Sequence, residues 1–284
     1  MTVILVHGGA GWRESGGRLT DAIAACERAA RTGQEVLASG GAALDAVEAA
    51  VRVLEDAPAL NAGRGSYANT AGIVEMDALI MDGATLGLGA VAGITRVLHP
   101  VILARRVMTE TPHTLLAGDG ASRFADHILF PRCAPADLIV PGGRAGTVGD
   151  TVGAVALDAA GNLATATSTG GIPGKLPGRV GDSPLVGCGA YADNATAAVG
   201  ATGDGEALMK LVISKHVADS IRDGHEPQLA CETAIELLQQ RLAATGGLIA
   251  LDARGRVGVA FNSPAMPWAR ALGNGDVVSG AGRA

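Results

Sequence analysis

Glycine fills 42 of the 284 positions, about twice its ordinary share of a globular chain, and this excess constrains the fold more than any other feature. It carries no G-X-Y period, and 48 % of the residues are hydrophobic. A collagen helix and a disordered linker are therefore both excluded. Two Trp, two Tyr and three Phe are the whole aromatic complement. A core must be built from Ala, Val, Leu and Ile instead of rings.

The length permits one large domain or two small ones. With a net charge of −6 and 18 % charged residues, there is no basic face for nucleic acid, and too few rings to stack single-stranded bases. Cys26, Cys133, Cys188 and Cys231 never form C-x-x-C, so they read as buried or incidental thiols, not as a disulfide framework or zinc knuckle. No apolar run approaches the roughly 18 residues of a membrane span. Thr2 to Val6 reads as a strand running straight into His7-Gly8-Gly9, without the basic and apolar regions of a secretory signal. The expectation is a soluble cytoplasmic protein.

The first 130 residues read as a strand, two helices (about 19–37 and 42–54), a loop holding Asn61-Ala62-Gly63-Arg64-Gly65-Ser66, and strands near 73–81 and 86–94. Pro100 suits the first turn of a helix, and Thr111-Pro112 should open another. Cys133 to Asp150 is rich in Pro and Gly without periodicity and reads as an exposed linker. Beyond it come a hairpin (152–158 and 163–169, turning at Gly161-Asn162), helices near 206–221 and 228–243, and a closing hairpin at 248–252 and 257–261. Strands and helices arrive in blocks, which favours antiparallel sheets with helices outside over a doubly wound nucleotide fold.

Gly118-Asp119-Gly120 is a fragment of a dinucleotide fingerprint, but no suitable strand is expected before it. His99, His113, His127, His216 and His225 show no metal spacing and read as structural or surface residues; His7 reads as a packing or hydrogen-bonding residue. The unusual density lies at Asp150 to Asp158, Thr167 to Gly171 and Gly178 to Ser183. The threonines there are also ordinary strand formers. Yet hydroxyls, an Arg, an Asp and glycines this close together can hold a small zwitterion: Arg179 would fork onto a carboxylate and Asp182 would take an ammonium, while glycine lets backbone approach the ligand.

Together, His7-Gly8-Gly9-Ala10-Gly11, Asn61-Ala62-Gly63, Glu75 to Ala78 with Met81-Asp82-Gly83, Thr151 to Asp158, Thr167 to Gly171, Gly178 to Pro184 and Ala201-Thr202-Gly203 resemble the plant-type asparaginase and isoaspartyl peptidase family. The segments keep the family's order over nearly the whole chain. The resemblance implies an α+β fold, a four-layer α-β-β-α sandwich of the N-terminal-nucleophile hydrolases, made as a single-domain precursor. Cleavage at Asp150-Thr151 would give subunits 1–150 and 151–284, with the 133–150 linker freed. Thr147-Val148-Gly149 repeats the Thr-Val-Gly of 151–153, but Thr151 leads directly into the strand where the family's nucleophile sits. Asp150 in place of glycine before the nucleophile is a variant that glycosylasparaginases also show.

By matching position, Thr169 resembles the threonine that hydrogen-bonds the nucleophile's hydroxyl. Arg179 and Asp182 resemble the clamps for the substrate's α-carboxylate and α-ammonium. Thr202 and Gly203 resemble the oxyanion hole, Gly205 a second backbone contact, and Asn61 a support for the nucleophile. The loop before Asn61 resembles one that wraps a structural sodium ion with the carbonyls of Leu54, Glu55, Ala57, Leu60, Ala62 and Arg64; no cofactor is implied for the chemistry. The implied activity is hydrolysis of L-asparagine and β-aspartyl dipeptides by a homodimer of cleaved chains. The alternatives are a glycosylasparaginase, which Thr169-Gly170-Gly171 and the lack of a secretory signal disfavour, and a non-catalytic amino-acid-binding protein that never matures.

Overall fold

In the computed structural model, residues 1–12, 17–140 and 151–282 are described. The chain opens with β1 (Val3–His7), α1 (Gly17–Ala38), α2 (Ala43–Glu55), β2 (Met76–Asp82) and β3 (Leu88–Ile94). Then come α3 (Pro100–Glu110), β4 (Leu115–Ala117), α4 (Gly118–His127) and α5 (Pro135–Leu138). After residue 150 follow β5 (Val152–Leu157), β6 (Leu163–Thr169), β7 (Ala190–Ala192), β8 (Ala197–Gly203), α6 (Gly205–Leu211), α7 (Ile213–Arg222) and α8 (Pro227–Leu242). The last strands are β9 (Gly246–Asp252), β10 (Val257–Phe261), β11 (Trp268–Leu272) and β12 (Val277–Gly280).

Two sheets form, one in the order β12-β11-β1-β5-β6-β2-β3-β4 and one in the order β10-β9-β8-β7. Within the larger sheet only the β3–β4 pair is parallel. The period-2 alternation of a strand assigns each residue to a layer. Ile4, Val6, Ala154, Ala156, Ala164 and Ala166 share one core with Ala25 and Ala29 of α1, Val47 and Ala50 of α2 and Leu103 of α3. Their neighbours Val3, Leu5, Val155, Leu157 and Leu163 face the other way and pack against Ala198, Ile249, Leu251 and Val259 of the second sheet. The outer face of that sheet, Val199, Ala201, Leu248 and Ala250, packs on Val217 of α7 and Ala234 and Leu238 of α8. The result is the expected α-β-β-α sandwich, mostly antiparallel, with a core of small aliphatic side chains. All four cysteines are free and buried, and no helix among the described residues is long and apolar enough to cross a membrane.

Several local expectations need correction. Thr111-Pro112 opens no helix: the Thr111 hydroxyl donates back to the Val107 carbonyl at 2.8 Å and accepts the His113 amide at 3.0 Å. That turns the chain into β4, which pairs beside β3. A strand therefore does precede Gly118, although 117–120 are exposed. The helix expected over 206–221 breaks at Val212, which is left-handed at φ 48°; the following Lys215 amide bonds to the Gly187 carbonyl at 2.9 Å. The chain does not close with β10, because β11 returns to pair with β1. The start of the expected linker is packed: Cys133 and Leu138 are buried, and the Leu138 carbonyl accepts the Gly65 amide at 2.7 Å. The rest of it, including Thr147 and Asp150, lies outside the described residues.

Candidate active site

The layering decides which side chains can meet. On β5 the residues facing the second sheet are Gly153, Val155 and Leu157, so Thr151, two before Gly153, falls on that same side. Register pairs His7 with Gly153, Gly153 with Thr167, and Asp77 with Thr169. Thr165, Thr167 and Thr169 share the inter-sheet side of β6, and the Thr165 hydroxyl reaches across to the Val199 carbonyl at 3.1 Å. From the opposite sheet, Thr202 points back and accepts the Ala10 amide at 3.3 Å. Ends of β1, β5, β6 and β8 thus converge between the sheets.

The loop after β6 covers this end. Thr151, Thr169, Gly171, Ile172, Arg179, Gly181, Asp182, Ser183 and Gly203 line one small cleft. Thr151 is 5 % exposed and its hydroxyl lies 2.8 Å from that of Ser183. Among the described residues Thr169 makes no bond to Thr151; its hydroxyl accepts the Gly171 amide at 3.0 Å. Asn61, fully buried, braces the same turn: Nδ2 donates to the Gly171 carbonyl at 2.6 Å, and the Asn61 backbone carbonyl accepts the Gly170 amide at 2.8 Å. Gly203 is in the left-handed region at φ 137°, and a Cβ there would lie 2.4 Å from the Thr245 carbonyl. No other residue fits that corner.

Arg179 and Asp182 meet beside Gly205. A Cβ on Gly205 would lie 2.8 Å from Asp182 Oδ1 and 3.0 Å from Arg179 Nη2. Arg179 already holds a carboxylate: Nε and Nη2 donate to Glu206 at 2.9 and 2.8 Å, and this holds the Glu206 carboxyl below its usual range. Asp182 is buried with Oδ2 unpartnered among the described residues. Burial pushes its carboxyl up to about 7, against the pull of its own backbone amide and of Arg179. It is a carboxylate short of a cation.

Further polar groups surround the cleft. His7 is completely buried, with the Thr151 backbone beside its ring. Burial drives its pKa down to about 3, with the Thr151 backbone opposing, so the ring is neutral. Asp77, directly across from Thr169, is pushed up by burial and accepts the Gly93 amide at 2.8 Å. Lys175 is pushed down by burial. Sequence reasoning left Ser183, Glu206 and Lys175 without a role. Ser183 stood inside the quoted Gly178 to Pro184 segment, and only the folded loop reveals what it touches.

Among the described residues no group of three or more His, Cys, Asp or Glu could hold a metal ion. The 54–64 loop offers a different donor set. Leu54 and Glu55 end α2, where carbonyls lose their helical partners and the helix dipole is negative. The Leu54, Glu55 and Ala57 carbonyls accept the Ala57, Arg64 and Leu60 amides, which leaves each a second lone pair. Gly63, at φ 51°, lets the chain close so tightly that a Cβ there would lie 2.6 Å from the Glu55 carbonyl. These carbonyls are neutral oxygen donors.

The model of the family described as Asparaginase matches residues 1–144 and 140–279. The chain is 43 % identical to a protein of Danio rerio named isoaspartyl peptidase/L-asparaginase, over 95 % of this chain and 92 % of that one. It is 41 % identical to the Mus musculus protein of the same name, over 98 % and 90 %. An isoaspartyl peptidase of Salmonella typhimurium is 42 % identical over 93 % of each chain. Family model and full-length relatives together show that this chain is an enzyme of the asparaginase family.

Proposed function

We propose that the chain cleaves itself before Thr151 and then uses Thr151 to hydrolyse L-asparagine and β-aspartyl dipeptides, releasing aspartate. One observation carries this reading: a buried threonine hydroxyl shares a cleft with an arginine fork and an under-partnered carboxylate. A substrate's α-ammonium would pair with Asp182 and return it to its charged form, while its α-carboxylate would share or displace Glu206 on Arg179. The cleft is walled by Gly171, Gly181 and Gly203, so backbone would border the substrate there.

The chemistry follows from a terminal threonine. Its freed α-amine has an intrinsic pKa of about 7.7–8.0 and takes the proton from its own hydroxyl. The oxygen attacks the substrate's side-chain amide carbon, and Thr202 and Gly203 serve the oxyanion that forms. The amide nitrogen takes that proton and leaves as ammonia or as the second residue's amine. Water then hydrolyses the aspartyl ester and regenerates Thr151. His7, held neutral by burial, is not asked to act as a base.

Two structural expectations belong to the same reading. A sodium ion held by the carbonyls of Leu54, Glu55, Ala57, Leu60, Ala62 and Arg64 would fix the loop that carries Asn61 and would take no part in the reaction. Two cleaved chains would assemble as a homodimer in the cytoplasm, which analytical ultracentrifugation and fractionation test directly.

The deciding experiment is a denaturing gel with N-terminal sequencing. Two fragments, the smaller beginning at Thr151, are expected from the wild type and one intact, inactive chain from Thr151→Ala. Cleavage at Thr147, or ammonia release by an uncleaved chain, would overturn the reading. Faster turnover of glycosyl-asparagine than of β-aspartyl-leucine would move the substrate to sugar-linked asparagine.

A further inference from the structure

The intact chain faces a chemical problem that the cleaved one does not. Before cleavage the Thr151 nitrogen is an amide bonded to Asp150, so it has no basic lone pair to activate or orient the hydroxyl. Some other group must hold that oxygen. The hydroxyl within reach is that of Ser183, 2.8 Å away, with Ser183 itself 1 % exposed. The Thr169 hydroxyl accepts the Gly171 amide and makes no bond to Thr151 among the described residues, so Ser183 is the side chain aligned on the nucleophile.

Ser183 is fixed from three directions. Its carbonyl accepts the Thr167 hydroxyl at 2.9 Å. The preceding Asp182 carbonyl accepts the Leu185 and Gly189 amides at 2.9 and 3.0 Å. Gly189 approaches so closely that a Cβ there would lie 2.5 Å from Ser183 Cα. The loop therefore has little freedom to move its hydroxyl away. A group locked in place can hold a nucleophile in one rotamer, which is what an intramolecular attack needs.

We propose that Ser183 is a positioning residue for maturation: its hydroxyl holds the Thr151 hydroxyl during self-cleavage, a role distinct from turnover of substrate. The step balances without Ser183 changing protonation. Thr151 Oγ bonds to the Asp150 carbonyl carbon, the Asp150–Thr151 C–N bond breaks, and the hydroxyl proton ends on the departing nitrogen. Water then hydrolyses the resulting ester to an Asp150 carboxylate and a free Thr151 hydroxyl. Once the α-amine exists it takes over activation, so Ser183 matters less.

This rests on the self-cleavage proposed above, and the test separates the two. Freshly refolded wild type, Ser183→Ala and Ser183→Thr are followed by mass spectrometry for appearance of the Thr151 terminus. Turnover of asparagine is then measured per mole of that terminus. Loss of one hydrogen bond, about 1.4 kcal/mol, corresponds to maturation slowed about tenfold in Ser183→Ala. Ser183→Thr, which keeps the hydroxyl, should recover most of the rate, and turnover per mature terminus should fall less than maturation does. A wild type that never cleaves defeats the functional reading itself. A cleaving wild type with Ser183→Ala maturing within twofold of it, or with turnover falling as much as maturation, overturns the role of Ser183. Melting of each uncleaved chain checks folding; if Ser183→Ala does not fold, the near-isosteric Ser183→Cys replaces it in the same comparison.

Discussion

Replacing Asp182 by asparagine should make the protein more stable and less active, and the stability gain should depend on pH in a defined direction. Burial raises the Asp182 carboxyl from 3.8 to about 7. The folded chain therefore holds a proton that the unfolded chain releases, and folding loses stability as pH climbs from 3.8 to about 7. At about 1.36 kcal/mol per pKa unit, that rise amounts to about 4 kcal/mol above neutral pH, an upper figure because Arg179 shares the field. The Asp182→Asn variant carries no charge there at any pH. Its backbone still offers the carbonyl that Leu185 and Gly189 bond, so the turn is kept. Urea denaturation should be run on both chains in a Thr151→Ala background, so that cleavage does not differ between them. The expected difference is near zero at pH 4, rises to a few kcal/mol in favour of the variant by pH 7, and stays flat above. In the cleavable background, kcat/KM for asparagine should fall ten- to a hundredfold, the loss of a charged hydrogen bond of about 1.5–3 kcal/mol. A pH-independent difference, or a variant less stable than the wild type at pH 8, would refute the idea that burial without a paired cation strains this carboxylate.

Glu55 poses the same question away from the cleft: burial pushes it up to about 8, against the opposing Ser168 hydroxyl and Val101 amide. Glu55→Gln should be near neutral below pH 4.5 and stabilising above pH 8, read as a melting-temperature difference that grows across that window. Gly153→Ala would put a Cβ 2.4 Å from His7 Nε2 and 3.2 Å from the Ala166 carbonyl; overpacking of this kind costs about 1–3 kcal/mol or more, and an unchanged melting temperature would show that His7 can yield. If the 54–64 carbonyls bind sodium, melting temperature should rise with NaCl and not with equimolar choline chloride; equal responses to both salts would remove the ion.

How much of this could be read in advance depended on whether a residue's neighbours follow from period or from tertiary return. Thr167 and Thr169 lie on a strand, so alternation alone sends them to one face. Register with β5 and β2 then gives them Gly153 and Asp77 as neighbours. Arg179 and Asp182 were recognisable as a zwitterion clamp by charge, though nothing in their spacing shows that Glu206 holds the Arg179 fork. The loop 170–189 has no period, and what it touches is set by chain that comes back from elsewhere: Asn61 onto Gly171, Gly189 onto Ser183. For that reason the partner of Thr151 was expected on strand β6 and is found on the loop. β11 was missed because its place beside β1 is a pairing of the two ends of the chain, Val3 with Leu272, invisible in any local window. The same distinction sorts the glycines. Gly161 and Gly255 serve turns that dipeptide signals reveal. Gly153, Gly189 and Gly205 are required by His7, Ser183 and the Arg179–Asp182 pair respectively, so a Cβ at any of the three should damage the site while leaving the secondary structure around it in place.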